Sequence, residues 1–340
     1  MATLHKEYNQ FVKEIRLTDA RKKKLKKSRK KLRETIRNWF AENKSDKLQP
    51  KFHSQGSFMM NTIINPIPVP VEGEDKKLVK YDLDDGIYFI EKPNEDNREN
   101  INTWHDWVYD AVNNHTKKET IRKQTCVRVV FAKGHHIDLP IYYQHEKDGT
   151  PELAHKRDGW KDSDPKKFTE WFNEKVDGKP QITRLVQYVK AWKNYREDKN
   201  SNIKLPSGFA FTILVVNNYY KDDNDDVAFR ETMRAIYDTL SVSGGFQCLR
   251  PTIPKNEDIF ADFSETKKTN TLNALNSLLT DCDKAANEDN FKKASEYLRD
   301  NQFGDRFPKG EDISENEKKK NMEKSLNSEK VKPKPYANER

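Results

Sequence analysis

The chain has 340 residues, enough for two domains and a sizeable core. Charged residues at 35% and apolar residues at 34% describe a polar, soluble surface, and no run approaches the roughly 18 apolar residues that span a bilayer. Met1 to Gln10 carries no apolar stretch of signal-peptide type. Cys126, Cys248 and Cys282 lie far apart, so neither a disulfide framework nor a zinc site is indicated. A cytoplasmic setting is expected.

Residues 3–17 read as a short amphipathic helix with Tyr8, Phe11, Ile15 and Leu17 on its apolar side. Thr18-Asp19 offers an N-cap and a first-turn acid for a longer helix, from about Ala20 to Ala41. Ten of the thirteen residues from Arg21 to Arg33 are Lys or Arg, and removing them from the net charge of +8 leaves −2 for the remainder. The basic character is therefore local. It has two readings: a solvated face on a helix docked through Leu25, Leu32, Ile36 and Phe40, or a weak contact with RNA or DNA, whose counterions clustered cations release.

Gly56-Ser57 marks a turn, followed by a helix-like Phe58 to Ile64. Pro66, Pro68, Pro70 and a loop of mixed charge from Glu72 to Lys77 come next. Lys80 to Phe89 then reads as a strand. Alternation puts Val79, Tyr81 and Leu83 on one face, with Asp82 and Asp84 side by side on the other. A third acid arrives at Asp138, flanked by Ile137 and Leu139 in a later strand. Together the three carboxylates form the oxygen ligand set of a divalent-metal site, suited to Mg²⁺ held jointly with substrate phosphates. Taken alone, Asp82 to Gly86 reads equally well as a solvated turn.

Residues from about Thr103 to His115 form a helix whose Trp104, Trp107, Val108 and Ala111 share a core-facing side. Val127 to Phe131 is a strand that pairs with the one carrying Asp138, and His135 and His136 read as strand-edge residues. From Ser163 the pattern turns helical, at 165–176 and then Gln181 to Arg196, with Leu185, Tyr188, Val189 and Trp192 on one side. Pro206-Ser207-Gly208 caps an apolar helix from Phe209 to Tyr220, and Asp222 to Asp226 is an acidic loop. Helices follow at about 227–240, 266–283 and 288–299. The tail from Lys309 to Arg340 has almost no large apolar groups and is expected to be disordered.

Several blocks occur in a characteristic order: Gln55-Gly56-Ser57-Phe58, Tyr81 to Tyr88, Lys123 to Cys126 with Arg128, His136 to Tyr142, Ser163 to Lys166, and Lys190-Ala191-Trp192. In this the chain resembles the bacterial cGAS/DncV-like nucleotidyltransferases, which make cyclic dinucleotide signals in anti-phage defence, and particularly their cyclic GMP-AMP synthase branch. The matching blocks run from about Gln55 to Trp192. Two features depart from the family pattern. The stretch from Ser57 to Asp82 is longer, and Met60 stands where that branch has an aromatic residue beside a base.

The resemblance implies an α+β fold, with a polymerase β-like nucleotidyltransferase lobe built on a mixed sheet, a helical lobe, and an active site in the cleft between them. The expected organisation is N-terminal helices to residue 47, a nucleotidyltransferase core at 48–180, a helical domain at 181–308, and the tail. Asp82, Asp84 and Asp138 would ligate two Mg²⁺ ions, with Mn²⁺ an acceptable substitute. Gln55, Gly56, Ser57, Met60, Arg128, Lys190 and Ser207 would bind nucleotide. The implied substrates are ATP and GTP or other NTPs, and a regulatory protein encoded nearby is an implied partner. Two alternatives remain at this stage: a linear nucleotidyl or oligoadenylate transferase, and a nucleotide- or RNA-binding protein without turnover.

Overall fold

The computed structural model of the chain describes residues 3–312 except 72, 73, 96 and 148, together with Glu317, Lys320 and residues 322–324. From residue 313 onward the expected disordered tail therefore lies outside the described residues, apart from those few positions.

Helix α1, His5–Ile15, buries Tyr8, Phe11 and Ile15. Thr18 caps α2, Asp19–Asn43, by accepting the backbone N–H of Arg21. The expected apolar stripe of α2, Leu25, Leu32, Ile36 and Phe40, is buried. Lys23, Lys26, Lys27, Lys30 and Lys31 remain exposed. Strand β1, Lys51–Gln55, runs directly into α3, Gly56–Met59. The helix expected to reach Ile64 stops there because Asn61 turns to a φ of 54° and the Thr62 and Ile63 amides fold back onto the Ser57 carbonyl. Part of the stretch expected as a mixed-charge loop is strand: β2, Val69–Val71, and β3, Glu74–Leu78, form an antiparallel pair, while residues 72 and 73 lie outside the described residues.

Strand β4, Tyr81–Ile90, leads to α4, Ile101–Val112, and then to β5, Thr120–Arg122, β6, Cys126–Val130, and β7, His135–Gln144. Strands β8, Pro151–His155, and β9, Gly159–Asp162, complete the sheet. Its main order is β1-β4-β7-β6-β5, with β8 also pairing to β7 and β9 to β8. The β4–β7 pair is parallel and the other pairs are antiparallel, so the sheet is mixed, as expected. His135 and His136 begin β7, which lies between β4 and β6. They are not edge residues.

The remainder is helical: α5, Pro165–Val176; α6, Pro180–Lys199; α7, Gly208–Asn217; α8, Asp225–Ser241; α9, Glu265–Asn287; and α10, Phe291–Leu298. Asp225, expected in an acidic loop, is instead the fully buried first residue of α8. Its carboxylate accepts hydrogen bonds from Arg184, Gln181 and Tyr188. Two hydrophobic cores result. One lies between the sheet, α2 and α4. The other joins α6 to α10 with α1 and with Phe168 and Phe172 of α5. No helix among the described residues is long and apolar enough to cross a membrane.

Candidate active site

The site follows from strand register. In the parallel β4–β7 pair, Asp82 lies opposite His136 and Asp84 opposite Asp138. With a side-chain period of two, this puts all three aspartates on one face of the sheet. Tyr81, Leu83, Ile137 and Leu139 point into the core on the other face. Three carboxylates gathered at one place repel one another. The effect is visible at Asp84: burial first, then the charges of Asp82 and Asp138, push its pKa up to about 7.

Arg128 of β6 lies opposite Asp138 in the antiparallel β6–β7 register. Its Nε and Nη2 donate to the two carboxylate oxygens of Asp138, at 2.6 and 2.7 Å. This bidentate geometry is among the stronger charge-assisted pairs, and it turns Arg128 toward Asp138. The imidazole of His136 is 3.9 Å from Asp82. Burial, and then the Arg128 charge, lower its pKa, which favours the neutral ring.

Gly56 follows β1 with a φ of +70°, and a Cβ at this position would stand 2.5 Å from Asp84 Oδ2. Only glycine allows both that backbone conformation and that approach. Ser57 is thereby carried to the edge of the carboxylate cluster. Gln55 is buried: its Nε2 donates to the Tyr142 hydroxyl at 2.9 Å and its Oε1 accepts from Tyr88. The Tyr88 and Tyr142 rings stack at 4.7 Å beneath it. Asp85 points away from the cluster. It pairs with Arg33 of α2 and accepts from Ser54, which also receives Arg29. Part of the basic run is therefore spent internally, anchoring α2 to the sheet.

Lys190 of α6 reaches the site from the helical lobe, its Nζ donating to Thr62 Oγ1 at 2.9 Å. Burial lowers its pKa to about 8, while Asp82 and Asp84 oppose the shift. A cleft of about 460 Å³ lies between sheet and helices, within the usual range for small-molecule sites. Of the residues expected to act, Gln55, Gly56, Ser57, Met60, Asp84, Asp138 and Lys190 line it. Asp82 is not among the lining residues, and about half its side chain is exposed. Arg128 backs Asp138 without entering the wall. Ser207 is exposed, and its hydroxyl accepts the Ala210 amide as the N-cap of α7, while its neighbours Gly208 and Phe209 line the cleft.

Sequence reasoning missed Thr212, Phe209 and Arg250 in the wall. Arg250 belongs to the irregular segment between α8 and α9, where no periodic pattern exists to flag it. Among the described residues, no three carboxylate, imidazole or thiol groups close around one point as a complete metal cage.

A mixed sheet bearing aspartates on adjoining strands, facing a helical lobe across a cleft, defines a polymerase β-like nucleotidyltransferase fold. The family model described as "Cyclic GMP-AMP synthase DncV-like, nucleotidyltransferase domain" matches residues 50–142, the segment that carries all three aspartates. Over that segment the chain is similar to the bacterial cGAS/DncV-like nucleotidyltransferases. A curated relative, the cyclic GMP-AMP synthase of Escherichia albertii, is 32% identical over 199 residues. That match covers 56% of this chain and 42% of the relative, less than half of its length. The apo form of Vibrio cholerae DncV cyclic AMP-GMP synthase is 19% identical with a TM-score of 0.73, covering 90% of this chain and 96% of that one. Its GTP-bound form is 20% identical with a TM-score of 0.74 and the same coverage.

Proposed function

We propose that the chain is a Mg²⁺-dependent nucleotidyltransferase that joins two NTPs in two successive transfers, forming a cyclic purine dinucleotide and releasing two pyrophosphates. Cyclic GMP-AMP is the proposed product and bacterial anti-phage signalling the proposed setting. The observation that carries this reading is the register of β4 and β7, which sets Asp84 against Asp138 on the face that also bears Asp82.

The residues fit a hard divalent cation. Asp82 and Asp84 offer oxygen donors only, and Asp84, raised to about 7 by burial and by like charge, marks an excess of negative charge that a cation would relieve. Mg²⁺ characteristically takes one or two carboxylates together with substrate phosphates, so Asp82, Asp84 and Asp138 would hold it, with Asp138 kept in place by Arg128. When bound, the ion neutralises triphosphate charge and lowers the pKa of the attacking 3′-hydroxyl.

The chain supplies the rest. Gly56 lets the backbone come close enough for Ser57 to offer its amide and hydroxyl to the donor triphosphate. Lys190, held by Thr62, adds a positive charge to the half-buried wall of the cleft, where it would act on phosphate. Gln55, braced by two tyrosines, keeps the floor rigid, and Met60 packs against a base through its thioether.

The test is to incubate the protein with Mg²⁺ and all four NTPs, then digest with phosphatase and nuclease P1 and analyse by mass spectrometry, with Asp82→Ala/Asp84→Ala in parallel. A cyclic dinucleotide made by the natural chain and absent from the variant supports the reading. Linear products alone would replace it with an oligonucleotide transferase.

A further inference from the structure

We infer that Arg250 reads guanine in this cleft, a role resting on the nucleotide-binding function proposed above. The wall opposite the aspartates contains a layered feature. Phe168 of α5 packs on Phe209 of α7 with ring centroids 4.5 Å apart, and the Arg250 guanidinium lies over the Phe209 ring at 5.1 Å. All three side chains line the cleft. Arg250 is held firmly. Leu249 bridges to Asp258, and the Asp258 carboxylate accepts the amides of Cys248 and Phe260 at 2.9 Å. The Arg250 amide donates to the Glu257 carbonyl, and its Nε and Nη2 both stand 2.7 Å from Glu257 Oε2.

The ion pair decides what this arginine can recognise. Its charge is already balanced by Glu257, which makes it a poor ligand for a triphosphate, whose charge Lys190 would answer from beside Gly208. What remains is a flat guanidinium with an unspent edge, mounted on an aromatic ring, and that surface matches a nucleobase. Guanine presents two adjacent acceptors, O6 and N7, to a pair of arginine N–H groups. Adenine places an N6 amino donor where O6 would be, so two donors meet. Met60 packs against a base without distinguishing one purine from another, which leaves the discrimination to a directional donor.

The experiment is equilibrium binding by calorimetry of non-hydrolysable GTP and ATP analogues with Mg²⁺, so that turnover is not needed. The natural chain is compared with Arg250→Gln and Arg250→Lys, the latter keeping a cation for Glu257 and hence the loop. Loss of the guanidinium is expected to weaken the GTP analogue about tenfold or more in Arg250→Gln and less in Arg250→Lys, whose ammonium can still donate to O6 or N7, while the ATP analogue changes less than about threefold in both. Equal losses for both analogues, or no loss in Arg250→Gln, would overturn the assignment while leaving the nucleotidyltransferase reading intact. Failure of the natural chain to bind either analogue would overturn both.

Discussion

Arg128 holds both carboxylate oxygens of Asp138, at 2.6 and 2.7 Å, across the β6–β7 register. A cation at Asp138 would draw on the same carboxylate charge that the guanidinium already neutralises. Arg128→Ala is therefore expected to lower the melting temperature in the absence of divalent ions. Breaking a buried pair costs about 3–5 kcal/mol; partial exposure of both side chains, 24% and 12%, scales this down to about 1–3 kcal/mol. Mg²⁺ or Mn²⁺ should then raise the melting temperature of the variant more than that of the natural chain, since it replaces the missing positive charge. Equal shifts in differential scanning fluorimetry would show that Arg128 and the cation do not compete.

Gly56→Ala is expected to abolish turnover. The backbone there has a φ of +70°, and a methyl group would meet Asp84 Oδ2 at 2.5 Å. Forcing a side chain into that conformation costs about 1–3 kcal/mol, and the clash moves a carboxylate of the cluster. Pyrophosphate release should fall more than about 100-fold, since misplacement by an ångström carries a cost of that order. A fall in melting temperature should accompany it, and a variant with natural activity would show that the close approach is dispensable.

Asp84 gives the protein a pH dependence whose sign is fixed by the structure. Burial and the charges of Asp82 and Asp138 raise its pKa to about 7, against about 3.9 in an unfolded chain. The folded state binds the proton more tightly, so this group's stabilising contribution is full below about pH 4 and is lost as pH rises through 7. Without divalent ions, Asp84→Asn should melt a few degrees above the natural chain at pH 8 and show a smaller gain at pH 5. Mg²⁺ should remove the difference at pH 8 by stabilising only the natural chain. A gain that is the same at both pH values would mean that packing, rather than charge, sets it.

Much of the site was legible because its signals are local. The alternation of Tyr81, Asp82, Leu83 and Asp84 fixes which residues share a face, and it held when the strand was seen. The apolar stripe of α2 and the core side of α6 follow a helical period and were likewise readable. What was hidden depends on contacts distant in sequence. Nothing local tells that Arg29 and Arg33 turn inward to Ser54 and Asp85, or that Asp225 leaves its acidic run to pair with Arg184, 41 residues away. The early end of α3 rests on Asn61, a residue type that tolerates positive φ, but no pattern announces that it does so here.

Gly208→Ala separates stability from function at Lys190. Gly208 opens α7, where alanine is the better helix former by up to about 1 kcal/mol, so the melting temperature should hold or rise. The added Cβ would stand 3.1 Å from Lys190 Cε, closer than ordinary contact. The lysine is half-buried and donates to Thr62, so its side chain must give by a few tenths of an ångström. Triphosphate binding should weaken about 3- to 10-fold in KM, with kcat less affected, as expected for loss of ground-state binding. Lys190→Met should produce a larger effect in the same direction. If Gly208→Ala leaves KM unchanged while Lys190→Met raises it, the ammonium acts from a position other than the one it holds against Thr62.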